Sequence, residues 1–307
     1  MNYFLLCIMV LCYALQALTS KLYAANCEGK SDDTSLRFAV IFGTFIGAAT
    51  LVEGWLGAGA VTFAPSRGTV IYALCNAVFL VVYHLSQIGA TARGSYAIAN
   101  ICMLFGGILI PMAVSMLKLG QRLNVTQTAA VVLMCIAFLL INCRTGSEKE
   151  KKAEKNKATV GFWAYCIMLA LSNGAFGSAL ALQADYAPAE RTEMLTVSYF
   201  ASAVLAAAVI ALRRAAHRDS AGGKKTFRMT RRAVFFAVGC CIVATVAVNI
   251  LSYLLSVMNV TVVNTVDNGG VLLLSSLFGA LIFGEKPGRI RLLGLAAAFV
   301  SIVLLSC

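Results

Sequence analysis

VTQTAAVVLMCIAFLLINC (residues 125–143) and VGFWAYCIMLALSNGAFGSALALQ (residues 160–183) are two long apolar runs, and RTGSEKEKKAEKNKA (residues 144–158) lies between them. A helix needs about 20 mainly apolar residues to cross a bilayer, so each run is long enough to do so. The segment between them is too densely charged to enter lipid. Working outward, four more apolar runs precede the pair (2–21, 36–55, 69–88 and 95–117) and four follow it (195–213, 233–255, 261–283 and 289–306). The sequence therefore predicts an all-α polytopic membrane protein of ten transmembrane helices. It divides into a five-helix half over 1–143, a charged linker over 144–159 and a second five-helix half over 160–307.

Composition agrees. The chain has 307 residues, 60% of them hydrophobic and 12% charged, and its mean hydropathy is +0.84. A soluble domain carries about 25% charged residues. The bilayer is therefore the expected partner, and the most ordinary location is a cell (plasma) membrane. The net charge of +12 sits mainly in two loop clusters, as membrane topology requires, so nucleic acid is not an expected partner. Ten of the eleven cysteines lie in apolar runs and only Cys27 in a polar loop. No CxxC pair or Cys/His cluster occurs, so neither a metal site nor a disulfide framework is indicated, and no cofactor is expected. Residues 2–19 lack the basic start of a secretory signal, and the first run is expected to stay as a helix.

The halves resemble each other. An offset of 164 carries Asn100 to Asn264, Gly106 to Gly270, and Gly120-Gln121-Arg122 to Gly284-Glu285-Lys286; an offset of 159 carries Cys7-Ile8-Met9 to Cys166-Ile167-Met168. Two repeats with an odd number of helices must lie in the membrane with opposite orientations. That is the inverted-repeat plan of many transporters, with the substrate near the midplane.

Ten helices, a charged central linker and the paired turns at 120–122 and 284–287 resemble the drug/metabolite transporter superfamily, in its EamA-like branch. FGALIFGEKPGRIRLLGLAAAFVSIVLL (278–305) resembles that family's ninth and tenth helices. In the first half Gln121 stands where the family usually has an acid. The resemblance implies a central cavity lined by the first, third, fourth, sixth, eighth and ninth helices. It also implies export rather than import.

Loop charge and family usage disagree about orientation. Loops after odd-numbered helices hold 21 of the 25 Lys and Arg residues. The positive-inside rule then places those loops, including 144–159 and 213–232, in the cytoplasm and both termini outside. The family usually has its termini inside.

Polar residues inside lipid are expensive and need partners or a water-filled cavity. Here they fall in stripes at helical spacing: Tyr13, Gln16 and Ser20 in the first helix; Asn76, Tyr83 and Gln87 in the third, with His84 beside them; Asn249, Ser252, Tyr253 and Ser256 in the eighth; Asn264, Asp267 and Asn268 in the ninth. Such spacing puts each set on one face. Gln16, Asn76, Tyr83, His84, Asn100, Asn173, Asn249, Tyr253, Asn264 and Asn268 are the candidate substrate-contacting residues. The plainer reading of each is a hydrogen bond between helices.

Asp267 stands apart, because every other acid lies in a loop or at a segment end. It sits about seven residues into its run, roughly 10 Å deep. A charged Asp at the bilayer centre costs about 2.5–3.5 kcal/mol on insertion scales. It must therefore be neutralised, paired or wetted. That suits it to exchange protons or another coupling ion, or to hold a cationic group. The alternative is a structural carboxylate hydrogen-bonded by Asn264 and Asn268. His84 is either a titrating partner, with Asp267 as one conceivable mate, or an interfacial histidine. Pro111 should kink the fourth helix. Gly106-Gly107 and Gly269-Gly270 permit close packing or bending.

These features together point to a secondary transporter, not an enzyme, that moves a small polar or amphipathic metabolite by alternating access, with proton coupling through Asp267. A membrane sensor or scaffold is the rival reading, and an intramembrane enzyme a weaker one, because no HExxH, GxSxG or paired intramembrane acids occur.

Overall fold

The computed structural model describes residues 1–28, 31–58, 63–93, 96–142, 160–216, 228–283 and 288–305. The linker 144–159, most of the 213–232 loop, the turn 284–287 and the Asn100 side chain lie outside the described residues.

Lipid offers no hydrogen bonds, so a crossing chain must satisfy its backbone internally, and a helix does so within one segment. Among the described residues ten α-helices form: α1 Asn2–Ala25, α2 Ser31–Ala58, α3 Arg67–Arg93, α4 Tyr96–Lys118, α5 Val125–Asn142, α6 Val160–Tyr186, α7 Arg191–Ala216, α8 Arg231–Val257, α9 Val260–Phe283 and α10 Arg289–Leu305. A short 3₁₀ turn, Pro188–Glu190, links α6 to α7. Each expected apolar run falls on one helix. Several helices extend past their runs: α2 starts early enough to include Asp32 and Asp33, and α3 runs from Arg67 to Arg93. Helix formation does not stop where the hydrocarbon ends.

Eight of the helices are long and apolar enough to cross a membrane. The other two, α5 and α10, have 18 and 17 residues, or roughly 26–27 Å at 1.5 Å per residue. That is slightly short of a hydrocarbon core of about 30 Å. The outward faces are apolar, with Phe4, Ile71, Val204, Leu281 and Phe299 all exposed. So much exposed apolar surface identifies an integral membrane protein.

Local signals fix the helix ends. α4 stops where Gly120 takes φ +63°, a left-handed conformation open to glycine. There the Gln121 N–H reaches back to the Ser115 carbonyl at 3.1 Å. Asn124 and Gln127 start α5 with reciprocal side-chain-to-backbone bonds of 2.6 and 3.3 Å, a capping box. Thr230 accepts the Ala233 N–H at the start of α8 and donates its hydroxyl to the Asn26 carbonyl at 2.9 Å.

These end contacts sort the loops into two groups. At one end Cys27–Glu28 pairs antiparallel with Arg228–Met229, joining the loops after α1 and α7. At the other end the Glu190 carboxylate accepts from the Ser66 N–H at 2.9 Å and its hydroxyl at 2.8 Å, joining the loops after α2 and α6. At that same end Gln121 Oε1 accepts the Val260 N–H at 3.0 Å, holding the start of α9 against the end of α4. Helix direction therefore alternates along the chain.

Most of the extensive helix contacts run between residues 1–142 and residues 160–305. α2 packs on α7, α5 on α10 and α4 on α9; α1 packs on α8 and α9, and α6 on α3 and α4. Among the described residues, three of these pairs carry a buried hydroxyl bond in their interface. Thr50 and Thr196 share a hydroxyl bond of 3.0 Å in α2/α7. Ser115 and Thr261 share one of 3.1 Å in α4/α9. Ser301 donates to the Ala130 carbonyl at 2.6 Å in α10/α5. Such bonds hold helices together where lipid removes the usual hydrophobic drive.

Gly106 lies against the Ala170 backbone so closely that a Cβ would overlap it, whereas Gly239 has nothing within 4 Å of where its Cβ would sit. Gly106→Ala should therefore lower stability by about 1–3 kcal/mol through overpacking. Gly239→Ala should raise it by about 0.5–1 kcal/mol, since its helix gains a better helix former. Unfolding of the two variants in detergent measures this. Equal effects at both sites would contradict the close α4/α6 approach.

Candidate functional site

Asp267 is three-quarters of a turn beyond Asn264 on α9, and the two amides beside it are committed to their own helix. Asn264 donates to the Val260 carbonyl at 2.8 Å and Asn268 to the Asn264 carbonyl at 2.7 Å. The reading in which these amides hold the carboxylate therefore has no support from the geometry. Asp267 Oδ1 is buried and has no hydrogen-bond partner among the described residues. A buried polar atom without a partner costs about 1–3 kcal/mol, more when charged. In a native protein it asks for a ligand, an ion or water.

Aromatic groups from both halves surround this level of the bundle. Tyr13 of α1 lies close enough to Asp267 and Tyr199 for their charges to interact. The Tyr199 ring of α7 meets Phe42 of α2 edge-on at 6.1 Å, and Phe42 meets His84 of α3 at 6.3 Å. His84 lies 5.3 Å from the Tyr83 ring, and the Tyr83 hydroxyl reaches Met103 Sδ of α4 at 3.1 Å. His84 is thus set in an aromatic row with Phe42 and Tyr83. Among the described residues it forms no ion pair with Asp267.

A second cluster brings α4, α6 and α9 together. Asn173 of α6 donates to the Met103 carbonyl at 2.9 Å. Gly107 faces both Asn173 and Asn268: a Cβ there would come within 2.6 Å of the Asn173 amide nitrogen and 3.0 Å of Asn268 Oδ1. Gly177 of α6 similarly faces Asn264 Oδ1 and the Pro111 ring. Pro111 lacks an N–H, so the Gly107 carbonyl loses its helical donor beside these amides. Gly269 and Gly270 have packing neighbours instead, Met134 of α5 and Val10 of α1 respectively.

The remaining candidates divide. Gln16 Oε1, Asn249 Oδ1 and both side-chain polar atoms of Asn76 are buried without partners among the described residues, as is Ser252 Oγ. Asn249 spends its amide hydrogen on the Thr245 carbonyl at 3.0 Å. Tyr253 lies near the end of α8, with the Arg191 guanidinium 5.6 Å above its ring, so it belongs to the rim and not to the centre.

Sequence reading left Phe42 and Tyr199 out of the candidate set. Tyr199 had a signal, because Thr196, Tyr199 and Ser202 recur at three-residue spacing in α7. Phe42 had none, being one apolar residue in an apolar helix.

No family model matches the chain, and no curated protein matches it. A solved crystal structure of a protein shares the fold, with a TM-score of 0.74 and 15% identity over 99% of this chain and 97% of that one. At that identity the likeness carries the fold alone.

Proposed function

We propose that the protein is a secondary transporter, related to the EamA-like drug/metabolite transporters, that exports a small polar or amphipathic metabolite by alternating access. All ten helices cross the membrane, and residues 1–143 and 160–307 are inverted repeats around one central site. The observation that carries this reading is the buried Asp267 Oδ1, which has no hydrogen-bond partner among the described residues and has Tyr13 of the other half near it. A carboxylate without a structural partner at that depth is suited to take a proton or another cation and release it.

The contact pattern supports the repeat. Exchanging each helix for the one five places away turns α1/α8 into α6/α3 and α1/α9 into α6/α4, while α2/α7, α4/α9 and α5/α10 map onto themselves. The close approaches follow the same rule. Gly106 meets Ala170 and Gly270 meets Val10, and the offsets of 164 and 159 carry Gly106 to Gly270 and Val10 to the neighbour of Ala170. A packing pattern that maps onto itself suits two alternative arrangements of similar energy, which alternating access requires.

The test pairs stability with flux. A thermal-shift screen against amino acids, amines and nucleosides supplies a stabilising compound for proteoliposome transport. Asp267→Asn should leave the melting temperature unchanged or raise it, since no partner is lost and charge burial is relieved. The same variant should abolish accumulation driven by a pH gradient. A substantial fall in melting temperature would make the carboxylate structural. Unchanged gradient-driven flux would remove it from coupling, and binding without any flux in the unsubstituted protein would favour a sensor or scaffold.

A further inference from the structure

A cleft of about 510 Å³ opens between the last turn of α1 and the first turns of α8, lined by Leu22, Asn26, Arg231, Arg232, Phe235 and Phe236. Its volume falls in the range of small-molecule sites. The lining runs from charge to hydrocarbon along one helix. Arg231 and Arg232 open α8 and are exposed. One turn deeper Phe235 is 74% exposed, and Phe236 and Leu22 continue the apolar side. Among the described residues no acid lines the cleft. The Ala233 N–H at the head of α8 is already taken by Thr230, so attraction for an anion rests on the two guanidinium groups.

We propose that this cleft binds an anionic phospholipid from the leaflet that faces the basic loops. The phosphate sits on Arg231 and Arg232, and an acyl chain lies along Phe235 and Phe236. Basic pockets between helices at the cytoplasmic side of a membrane suit such headgroups, and guanidinium matches phosphate in geometry as well as charge. A free phosphate would use the arginines but gain nothing from the exposed Phe235 ring, so a lipid fits the whole lining. The site is independent of what the bundle carries. It sits beside the Thr230–Asn26 bond and the Cys27–Glu28/Arg228–Met229 ribbon, where α1 of one half meets α8 of the other. A bound lipid therefore braces that contact.

The full chain, purified in detergent, is titrated with phosphatidylglycerol, phosphatidylcholine and inorganic phosphate while lipid retention is read by native mass spectrometry. Phosphatidylglycerol should be retained in preference to phosphatidylcholine, and inorganic phosphate should not displace it. The double variant Arg231→Gln/Arg232→Gln should bind phosphatidylglycerol at least about tenfold more weakly. Arg213→Gln/Arg289→Gln, which removes two arginines from the same end but outside the cleft, should bind as the unsubstituted protein does. Equal retention of both lipids by the unsubstituted protein would overturn the proposal, and this reading does not depend on any variant folding. So would equal losses in the two double variants, which would mean diffuse surface charge, or displacement by phosphate, which would mean a simple ion site.

Discussion

Every polar group carried into lipid must find its partner inside the protein, and that constraint organises this molecule. The backbone meets it with helices. The loops meet it with caps, such as the Asn124–Gln127 box and Thr230 at the head of α8. Side chains in the bundle meet it largely by bonding back to their own helix, as Thr50, Ser178 and Asn264 do, or across to a partner helix, as Ser115 does with Thr261. Against that background the exceptions are informative. Asp267 Oδ1, Gln16 Oε1, Asn249 Oδ1 and the Asn76 amide are buried without partners among the described residues. These four lie on α1, α3, α8 and α9, the helices that carry the polar stripes, and Gln183 Oε1 of α6 is buried without a partner among the described residues as well.

The same constraint explains how the bundle is joined. In lipid, apolar packing alone holds helices weakly, so close approach and a few buried hydroxyl bonds take over. Gly106 against Ala170 supplies such an approach, and the Thr50–Thr196 and Ser115–Thr261 bonds supply such links. Because the Thr50–Thr196 and Ser115–Thr261 bonds cross between the halves, the halves are not separate packing units. They interlock, and any rearrangement must repack both. Small polar bonds and glycine contacts allow repacking at lower cost than a large interdigitated apolar interface would.

Much of this was legible in the sequence. Each of the ten apolar runs falls on a helix among the described residues, and eight of those helices are long and apolar enough to cross a membrane, because length and hydropathy are direct physical requirements of crossing lipid. The unusual position of Asp267 was legible for the same reason, and the stripes contain Gln16, Asn249 and Asp267, each with a buried side-chain oxygen that has no partner among the described residues. Partners were not legible. Asn264 and Asn268 flank Asp267 at the spacing expected of supporting amides, yet both bond to backbone carbonyls of α9, an option that spacing alone does not rank. His84 stands in a row with Phe42 and Tyr83, contacts that its place near the end of its run did not reveal. Tyr253 fits the α8 stripe but sits under Arg191 at the rim, because a stripe gives a direction around a helix and not a depth along it. The part played by Phe42 depends on which helices become neighbours, and no local pattern contains that.

In the proposed transport cycle the Asp267 carboxylate governs reciprocal opening of the two ends of the bundle. Distances between paired spin labels test it most directly, with one pair at residues 64 and 189 beside the Ser66–Glu190 contact and another at residues 27 and 229 across the ribbon. The labels are placed in a background whose other cysteines are replaced, and the distances are followed as the pH is lowered. The account predicts that one distance lengthens as the other shortens, and that Asp267→Asn freezes both. Two ends that stay fixed, or that open together, would contradict it.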